Sequence, residues 1–81
     1  MNKWFVYILR CSDNSLYTGI TTNIERRINQ HNNGKGAAYT RSHRPVVLVH
    51  EESYNSRSEA SRRESELKKL TKQEKELLVK E

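Results

Sequence analysis

The sequence is poor in cysteine and proline and has no long apolar run. Its single cysteine, Cys11, excludes an internal disulfide and is typical of a reducing compartment. No apolar stretch approaches the roughly 20 residues needed to span a bilayer. No small-residue cleavage site follows the strand-like run at the N-terminus, as a signal peptide would require. These absences predict a cytoplasmic protein without a membrane anchor.

The chain has 81 residues, 33% of them hydrophobic and 31% charged, with no internal repeat or low-complexity tract. A domain of this size buries only about 60% of its unfolded surface, so its core must be thin. Trp4, Phe5 and four tyrosines are nevertheless enough apolar mass for a folded core rather than a disordered chain. Residues 1–81 are therefore expected to form a single domain.

The positive charge is concentrated in one stretch of the chain. Between Glu25 and Glu51 there is no acidic residue, whereas five basic residues fall in that interval: Arg26, Arg27, Lys35, Arg41 and Arg44. Without these five, basic and acidic residues balance at ten each, so the stretch carries the whole net charge of +5. General solubility would explain such charge, but its concentration favours a polyanionic partner such as a phosphate backbone.

The hydrophobic pattern predicts a small antiparallel sheet with helices against it, in the order ββαβαα. Asn23 is a good N-cap residue, and Ser56-x-x-Glu59 and Thr71-x-x-Glu74 have capping-box spacing. Gly34 suits the end of the first helix. The predicted strands are residues 3–10, 16–20 and 46–50, and the predicted helices are 24–33, 57–69 and 72–80. The class is α+β, with a three-stranded sheet.

Glu64 interrupts the apolar stripe of the predicted third helix. Ala60, Glu64 and Leu67 are spaced i, i+4, i+7 and share one face. A carboxylate in such a stripe is costly unless it is paired or binds a metal. Taken alone, Glu64 is compatible with either a structural ion pair, for example with an arginine of the first helix, or a metal ligand.

Four other polar side chains are expected beside Glu64. Arg27 and His31 are one turn apart on the first helix, next to its isoleucine stripe, and should emerge at the edge of the core. Tyr7 and Tyr17 lie on the two arms of the predicted hairpin. Core packing is the ordinary role of such tyrosines, and a boundary position the ordinary role of such a histidine. Together on one sheet face, these groups would cover the needs of phosphodiester hydrolysis.

These residues resemble the motif of the GIY-YIG nuclease family. The matching elements, in chain order, are Val6-Tyr7-Ile8, Tyr17-Thr18-Gly19, Arg27 with His31, and the helical Glu64. The resemblance runs from about Trp4 to Val79 and is closest to small single-domain bacterial members. Two features depart from the motif: Phe5-Val6-Tyr7 replaces Gly-Ile-Tyr, and the asparagine that follows the glutamate in many members is missing.

The resemblance implies a role for each matching residue. Tyr7 or Tyr17, with His31, would position and deprotonate water, and Arg27 would hold the scissile phosphate. Glu64 would bind one Mg²⁺ or Mn²⁺ ion, and Gly19 would let the backbone come close to the site. The implied activity is metal-dependent DNA hydrolysis, with a role in repair or recombination.

The loop of residues 34–45 is the expected nucleic-acid contact. An aromatic side chain among basic residues can stack a base and hold phosphates, although a solvated loop with a packed tyrosine would have the same composition. The candidate contacts are Arg41, Tyr39, Arg44 and Lys35. A lone small domain has few side chains left to read base edges, so we expect low sequence specificity on single-stranded or structured DNA. RNA stays open as a substrate, and the alternative is a catalytically weak nucleic-acid-binding module on the same fold.

Overall fold

The computed structural model describes residues 3–79 and has a three-stranded antiparallel sheet flanked by helices. Its elements are β1 (Trp4–Arg10), β2 (Leu16–Thr21), α1 (Ile24–Asn32), α2 (Ala38–Arg41), β3 (Val47–Tyr54), α3 (Arg57–Lys68) and α4 (Lys72–Val79). The predicted α+β fold is confirmed. The predicted end of the last helix, at residue 80, lies outside the described residues. Within the described part of the chain, no helix is long and apolar enough to cross a membrane.

The first strand is the centre of the sheet, whose strand order is β2-β1-β3. Strand β1 pairs antiparallel with both neighbours, so that Tyr7 lies opposite Gly19 on one side and Glu51 on the other. This position explains why residues 6–9 are almost all apolar, since a central strand covered on both faces has no solvent side. Strand β2 is left as an edge.

Alternate residues of β1 pack on opposite faces of the sheet, and each face has its own core. On one face Val6 and Ile8 pack against Ala60 and Leu67 of α3. On the other face Tyr7 and Leu9 form a second cluster, which includes the isoleucines of α1. Helix α3 and helix α1 therefore lie on opposite sides of the sheet.

The predicted helix boundaries follow from their caps. The side chain of Asn23 accepts a hydrogen bond from the Arg26 amide at 3.0 Å. In both capping boxes the hydroxyl accepts from the backbone amide three residues later, at 3.2 Å. Gly34 follows α1 with φ +79°, the left-handed conformation that favours glycine at this position.

The structure adds two features to the predicted order. The short helix α2 lies inside the predicted loop, held by a bond from the Arg41 amide to the Ala37 carbonyl at 3.1 Å. Four residues are too few to show a helical period in the sequence. Strand β3 extends four residues beyond His50, to Tyr54. The prediction ended too early because residues 51 and 52 are both acidic, a composition that is unfavourable in strands.

Candidate active site

Tyr7 reaches the edge of the sheet by crossing over Gly19. A Cβ atom at position 19 would lie 2.5 Å from the Tyr7 hydroxyl and 2.7 Å from its Cζ. Real side chains do not approach so closely, so only glycine leaves space for the ring on β2. Tyr17, two residues before Gly19, points to the same face of the sheet. Tyr7 and Tyr17 thus lie diagonally across the hairpin instead of directly opposite each other.

His31 lies behind both tyrosines and is fully buried, more deeply than a position at the edge of the core would be. Its Nε2 atom is 3.0 Å from the Tyr7 hydroxyl. Its ring lies edge-on to Tyr17, with 5.4 Å between the ring centroids. Burial, and then the nearby charge of Arg27, lower the pKa of His31 below its usual value. At neutral pH the imidazole is therefore uncharged.

Arg27 is half-buried one turn before His31, as its position beside the isoleucine stripe predicted, whereas Arg26 is exposed. Its Nη1 donates to Gln30 Oε1 at 2.9 Å. Burial raises the pKa of Tyr7, Arg27 offsets part of that rise, and the negative charge of Glu64 adds to it. The guanidinium of Arg27 and the carboxylate of Glu64 are therefore both close enough to the Tyr7 phenol to change its pKa.

Glu64 approaches Tyr7 from the other side of the sheet. The expectation that all five groups share one sheet face is wrong for Glu64, because α3 packs on the face opposite to α1. Glu64 is nevertheless close enough to Tyr7 for its charge to raise the pKa of that phenol. The Glu64 side chain is 22% exposed, and Oε2 is 3.2 Å from Lys68 Nζ. The ion-pair partner is thus a lysine of the same helix and not an arginine of α1.

Glu64 offers one carboxylate of the kind that binds a divalent ion, and the described residues supply no complete cage around it. Among residues 3–79, no group of three or more His, Cys, Asp or Glu side chains could hold a metal ion. Mg²⁺ is commonly held by one or two carboxylates, with waters and substrate phosphates completing its shell. The Glu64 side chain is partly exposed, and its partner Lys68 is 55% exposed.

In the loop of residues 34–45, called the basic loop, one candidate side chain is hydrogen-bonded within the protein and two others are exposed. Arg44 donates through Nε to the Arg41 carbonyl at 3.1 Å and through Nη1 to the Asn32 carbonyl at 3.2 Å. Arg41 and Lys35 are exposed. Arg44 therefore braces the loop, and Arg41 and Lys35 are the better placed to contact a phosphate.

Tyr39 is 43% exposed, but its ring is already stacked. It lies on His43, with 4.3 Å between centroids, and Tyr17 is near-parallel to it at 6.3 Å. Its hydroxyl donates to Ser15 Oγ at 2.6 Å. A base that stacks on Tyr39 would have to displace His43 or enter the space on the Tyr17 side.

Two lysines that the sequence did not single out lie beside the tyrosines. Lys68 and Lys75 line an open cleft of about 220 Å³, together with residues of β2 and Tyr39. Lys68 belongs to α3 and Lys75 to α4, so only the packing of these two helices beside β2 brings them together. Thr18 also lines this cleft, and among the described residues its Oγ1 is the buried side-chain polar atom without a hydrogen-bond partner.

Thr71, the first residue of the second capping box, does not offer its hydroxyl to the site. Its hydroxyl accepts from the Glu74 amide, and its own amide donates to the Glu74 carboxylate at 2.8 Å. Thr71 is thus committed to the cap of α4. Lys68 and Lys75 are the polar groups that this region of the chain offers to the cleft.

Comparison with known proteins agrees with this arrangement. The family model of the GIY-YIG catalytic domain matches residues 3–77. A UPF0213 protein of Staphylococcus haemolyticus is 57% identical over all of this chain and 99% of its own length. A UPF0213 protein of Haloquadratum walsbyi is 53% identical over all of this chain and 92% of its own.

Two solution NMR structures are also similar. The UPF0213 protein BH0048 of Bacillus halodurans is 49% identical, with a TM-score of 0.62 over 96% of this chain and 83% of that one. The protein EF2693 of E. faecalis is 44% identical, with a TM-score of 0.66 over 99% of this chain and 85% of that one. Because the family model matches residues 3–77, the chain belongs to the GIY-YIG family.

Proposed function

We propose that the protein is a divalent-metal-dependent endonuclease that hydrolyses DNA phosphodiester bonds with low sequence specificity. The observation that carries this proposal is the Tyr7 phenol, which crosses Gly19 to the sheet edge with His31 hydrogen-bonded behind it. Arg27 and Glu64 lie close enough to this phenol to change its pKa. A proton acceptor, a cation and a metal-binding carboxylate close together are what phosphodiester hydrolysis requires.

Each side chain then has a distinct task. The Tyr7 oxygen accepts the proton of the attacking water with His31 behind it, and Tyr17 limits where that water lies. Arg27 binds the non-bridging oxygens of the scissile phosphate, where negative charge builds. Glu64 holds one Mg²⁺ or Mn²⁺ ion, which when bound stabilises the negative charge on the leaving oxygen.

The residues around the site are suited to bind the negatively charged phosphate backbone of a nucleic-acid strand. Lys68 and Lys75 line the cleft beside Tyr17, and the exposed Arg41 and Lys35 belong to the basic loop. Contacts of this kind position a phosphate backbone without reading its sequence. The substrate is therefore DNA with an accessible strand, such as single-stranded or branched DNA formed in repair or recombination; RNA with an accessible strand is a second substrate to assay.

The decisive experiment compares the wild type with Glu64→Gln on labelled single-stranded, duplex and branched DNA. Reactions contain Mg²⁺, Mn²⁺ or chelator. Glu66→Gln is the matched control, because Glu66 lies on the same helix, is 59% exposed and pairs with Arg63. We expect metal-dependent cutting that Glu64→Gln reduces by at least 10²-fold, on the order of one lost catalytic group, and that Glu66→Gln leaves unchanged. Equal cutting by Glu64→Gln would remove Glu64 from the mechanism.

The second candidate is a nucleic-acid-binding module with weak catalysis. The Lys68 ammonium favours it, because that group already neutralises the Glu64 carboxylate. Salt-dependent binding of DNA without cleavage by either protein would select this function. Absence of salt-dependent binding would exclude both candidates.

A further inference from the structure

A chain of three hydrogen bonds, of which the first two are buried, begins at the proposed catalytic phenol. The Tyr7 hydroxyl is 3.0 Å from His31 Nε2, and His31 Nδ1 is 2.6 Å from Thr40 Oγ1. Thr40 Oγ1 in turn donates to the Ala37 carbonyl at 3.0 Å. Tyr7 is 1% exposed, and His31 and Thr40 are fully buried, so water does not compete for these bonds.

The Ala37 carbonyl determines where every proton in this chain lies. A carbonyl accepts only, so the single Thr40 proton points to it, and Thr40 Oγ1 must accept from His31 Nδ1. A neutral imidazole carries one N–H, so Nε2 has a lone pair and accepts the Tyr7 proton. The reverse direction would set the Thr40 oxygen against the Ala37 oxygen at 3.0 Å with no proton between them.

We propose that Thr40 is a positioning residue that holds His31 in the Nδ1–H tautomer, so that Nε2 receives the phenol proton of Tyr7. The catalytic part of this inference rests on the proposed nuclease function, whereas the tautomer itself does not. Helix α2 thereby has a role, because it carries Thr40 one turn after the carbonyl that orients it.

Because the phenol proton points to His31 Nε2, the lone pairs of the Tyr7 oxygen remain free to accept a proton. When water attacks, its O–H bond breaks and that proton bonds to the Tyr7 oxygen, while the original phenol proton moves to His31 Nε2. The hydroxide forms the new bond to phosphorus, and the leaving oxygen takes a proton from solvent water as its bond to phosphorus breaks. His31 then returns its extra proton through Tyr7 to solvent, which restores the starting state.

The space around His31 is consistent with a ring held in one orientation. A Cβ atom at Gly36 would collide with His31 Nδ1 and lie 2.8 Å from its Cγ and 2.9 Å from its Cα. The two tyrosine rings lie edge-on to the imidazole at centroid distances of 5.4 and 6.0 Å. Packing therefore fixes the plane of the ring, and the hydroxyl of Thr40 remains to select its tautomer.

The test uses the full chain labelled with ¹⁵N and compares wild type, Thr40→Val and Thr40→Ser. Valine keeps the shape of threonine but cannot accept from Nδ1, whereas serine keeps the hydroxyl. Long-range ¹H–¹⁵N spectra above pH 8 report which imidazole nitrogen carries the proton, and His31→Gln assigns the signals. We expect Nδ1–H in wild type and Thr40→Ser, and a shift to Nε2–H in Thr40→Val.

Cleavage rates under saturating DNA provide the second readout. We expect Thr40→Val to lose about 10²-fold in rate with unchanged DNA affinity, the low end of what a positioned general base contributes, and Thr40→Ser to stay near wild type. Nε2–H in the wild type, or Nδ1–H retained in Thr40→Val, would overturn the tautomer assignment. If the tautomer shifts but Thr40→Val cuts as fast as Thr40→Ser, the positioning role is refuted. If no variant cuts DNA, the nuclease function fails while the spectra still decide the tautomer.

Discussion

Two glutamates with almost the same exposure should respond in opposite ways to loss of their charge. Glu52 of β3 is 21% exposed, and Glu64 of α3 is 22% exposed. The Glu52 carboxylate accepts from Arg63 Nε at 2.9 Å, from Tyr54 at 2.7 Å and lies 2.8 Å from His50 Nε2. Glu64 pairs with a single exposed lysine. We predict that Glu52→Gln destabilises the fold, whereas Glu64→Gln affects activity and leaves stability nearly unchanged.

The size of the effect follows from the pKa of Glu52. Burial by itself would raise that pKa, but the bonds from Arg63, His50 and Tyr54 lower it from the ordinary 4.5 to about 2. Because one pKa unit corresponds to about 1.4 kcal/mol, the shift sets an upper limit of roughly 3 kcal/mol at neutral pH. Solvent screens this partly exposed carboxylate, so we expect a contribution of about 1–2 kcal/mol. A helical i, i+4 pair such as that of Glu64 contributes about 0.3–0.5 kcal/mol. The contribution expected for Glu52 is a large share of the stability expected for a domain of this size.

Urea unfolding followed by circular dichroism at pH 7 and pH 3 measures both variants. A carboxylate with a lowered folded-state pKa stabilises fully above its unfolded value, and that stabilisation is lost as the pH falls towards 2. The difference between wild type and Glu52→Gln should therefore fall at pH 3 to roughly half its neutral value or less. A Glu52→Gln loss below about 0.5 kcal/mol, the level of an ordinary surface pair, or a loss that does not change with pH, would refute this account.

The remaining predictions concern Gly19 and His31. Gly19→Ala should force Tyr7 away from His31, because the added Cβ would lie 2.5 Å from the Tyr7 hydroxyl. We expect a stability loss of about 1–3 kcal/mol in urea unfolding and a loss of DNA cleavage. Normal cleavage by this variant would contradict the placement of Tyr7. Because burial lowers the pKa of His31, the unfolded chain binds the proton more readily than the folded one, so the stability advantage of wild type over His31→Gln should shrink as the pH falls from about 6.5 to 5. An advantage that grows with acid over that range would show that His31 is stabilised in its charged form.

Local spacing predicted most of the site because its residues lie on regular elements. Tyr7 and Gly19 are fixed by strand pairing, and Arg27 and His31 by one turn of α1. These relations hold within a hairpin or a helix, where sequence separation determines direction. Glu64 was identified on the same basis, as a carboxylate between two apolar residues of its helix.

The sequence could not predict which elements would meet across the sheet. The side of the sheet that α3 covers depends on the whole packing arrangement, so the sequence did not show that Glu64 lies on the face opposite to α1. Thr40 lies in α2, a helix of four residues that is too short to show a period in the sequence. Lys68 and Lys75 alternate with glutamates, a pattern that in isolation indicates a solvated face. The position of each of these residues depends on a contact between segments that are distant in the sequence.

A thin core explains why this site combines buried and open groups. Tyr7 and His31 are at most 1% exposed and belong to the packed interior, although the proposed chemistry begins at the Tyr7 oxygen. Arg27 and Glu64 are half-buried and lie around that oxygen from opposite faces of the sheet. The inner pair is thus held by the same packing that stabilises the fold, whereas the outer pair is free to exchange partners with a phosphate or a cation. Substitutions of Tyr7 or His31 therefore change stability and chemistry together, and only substitutions of the outer pair separate the two.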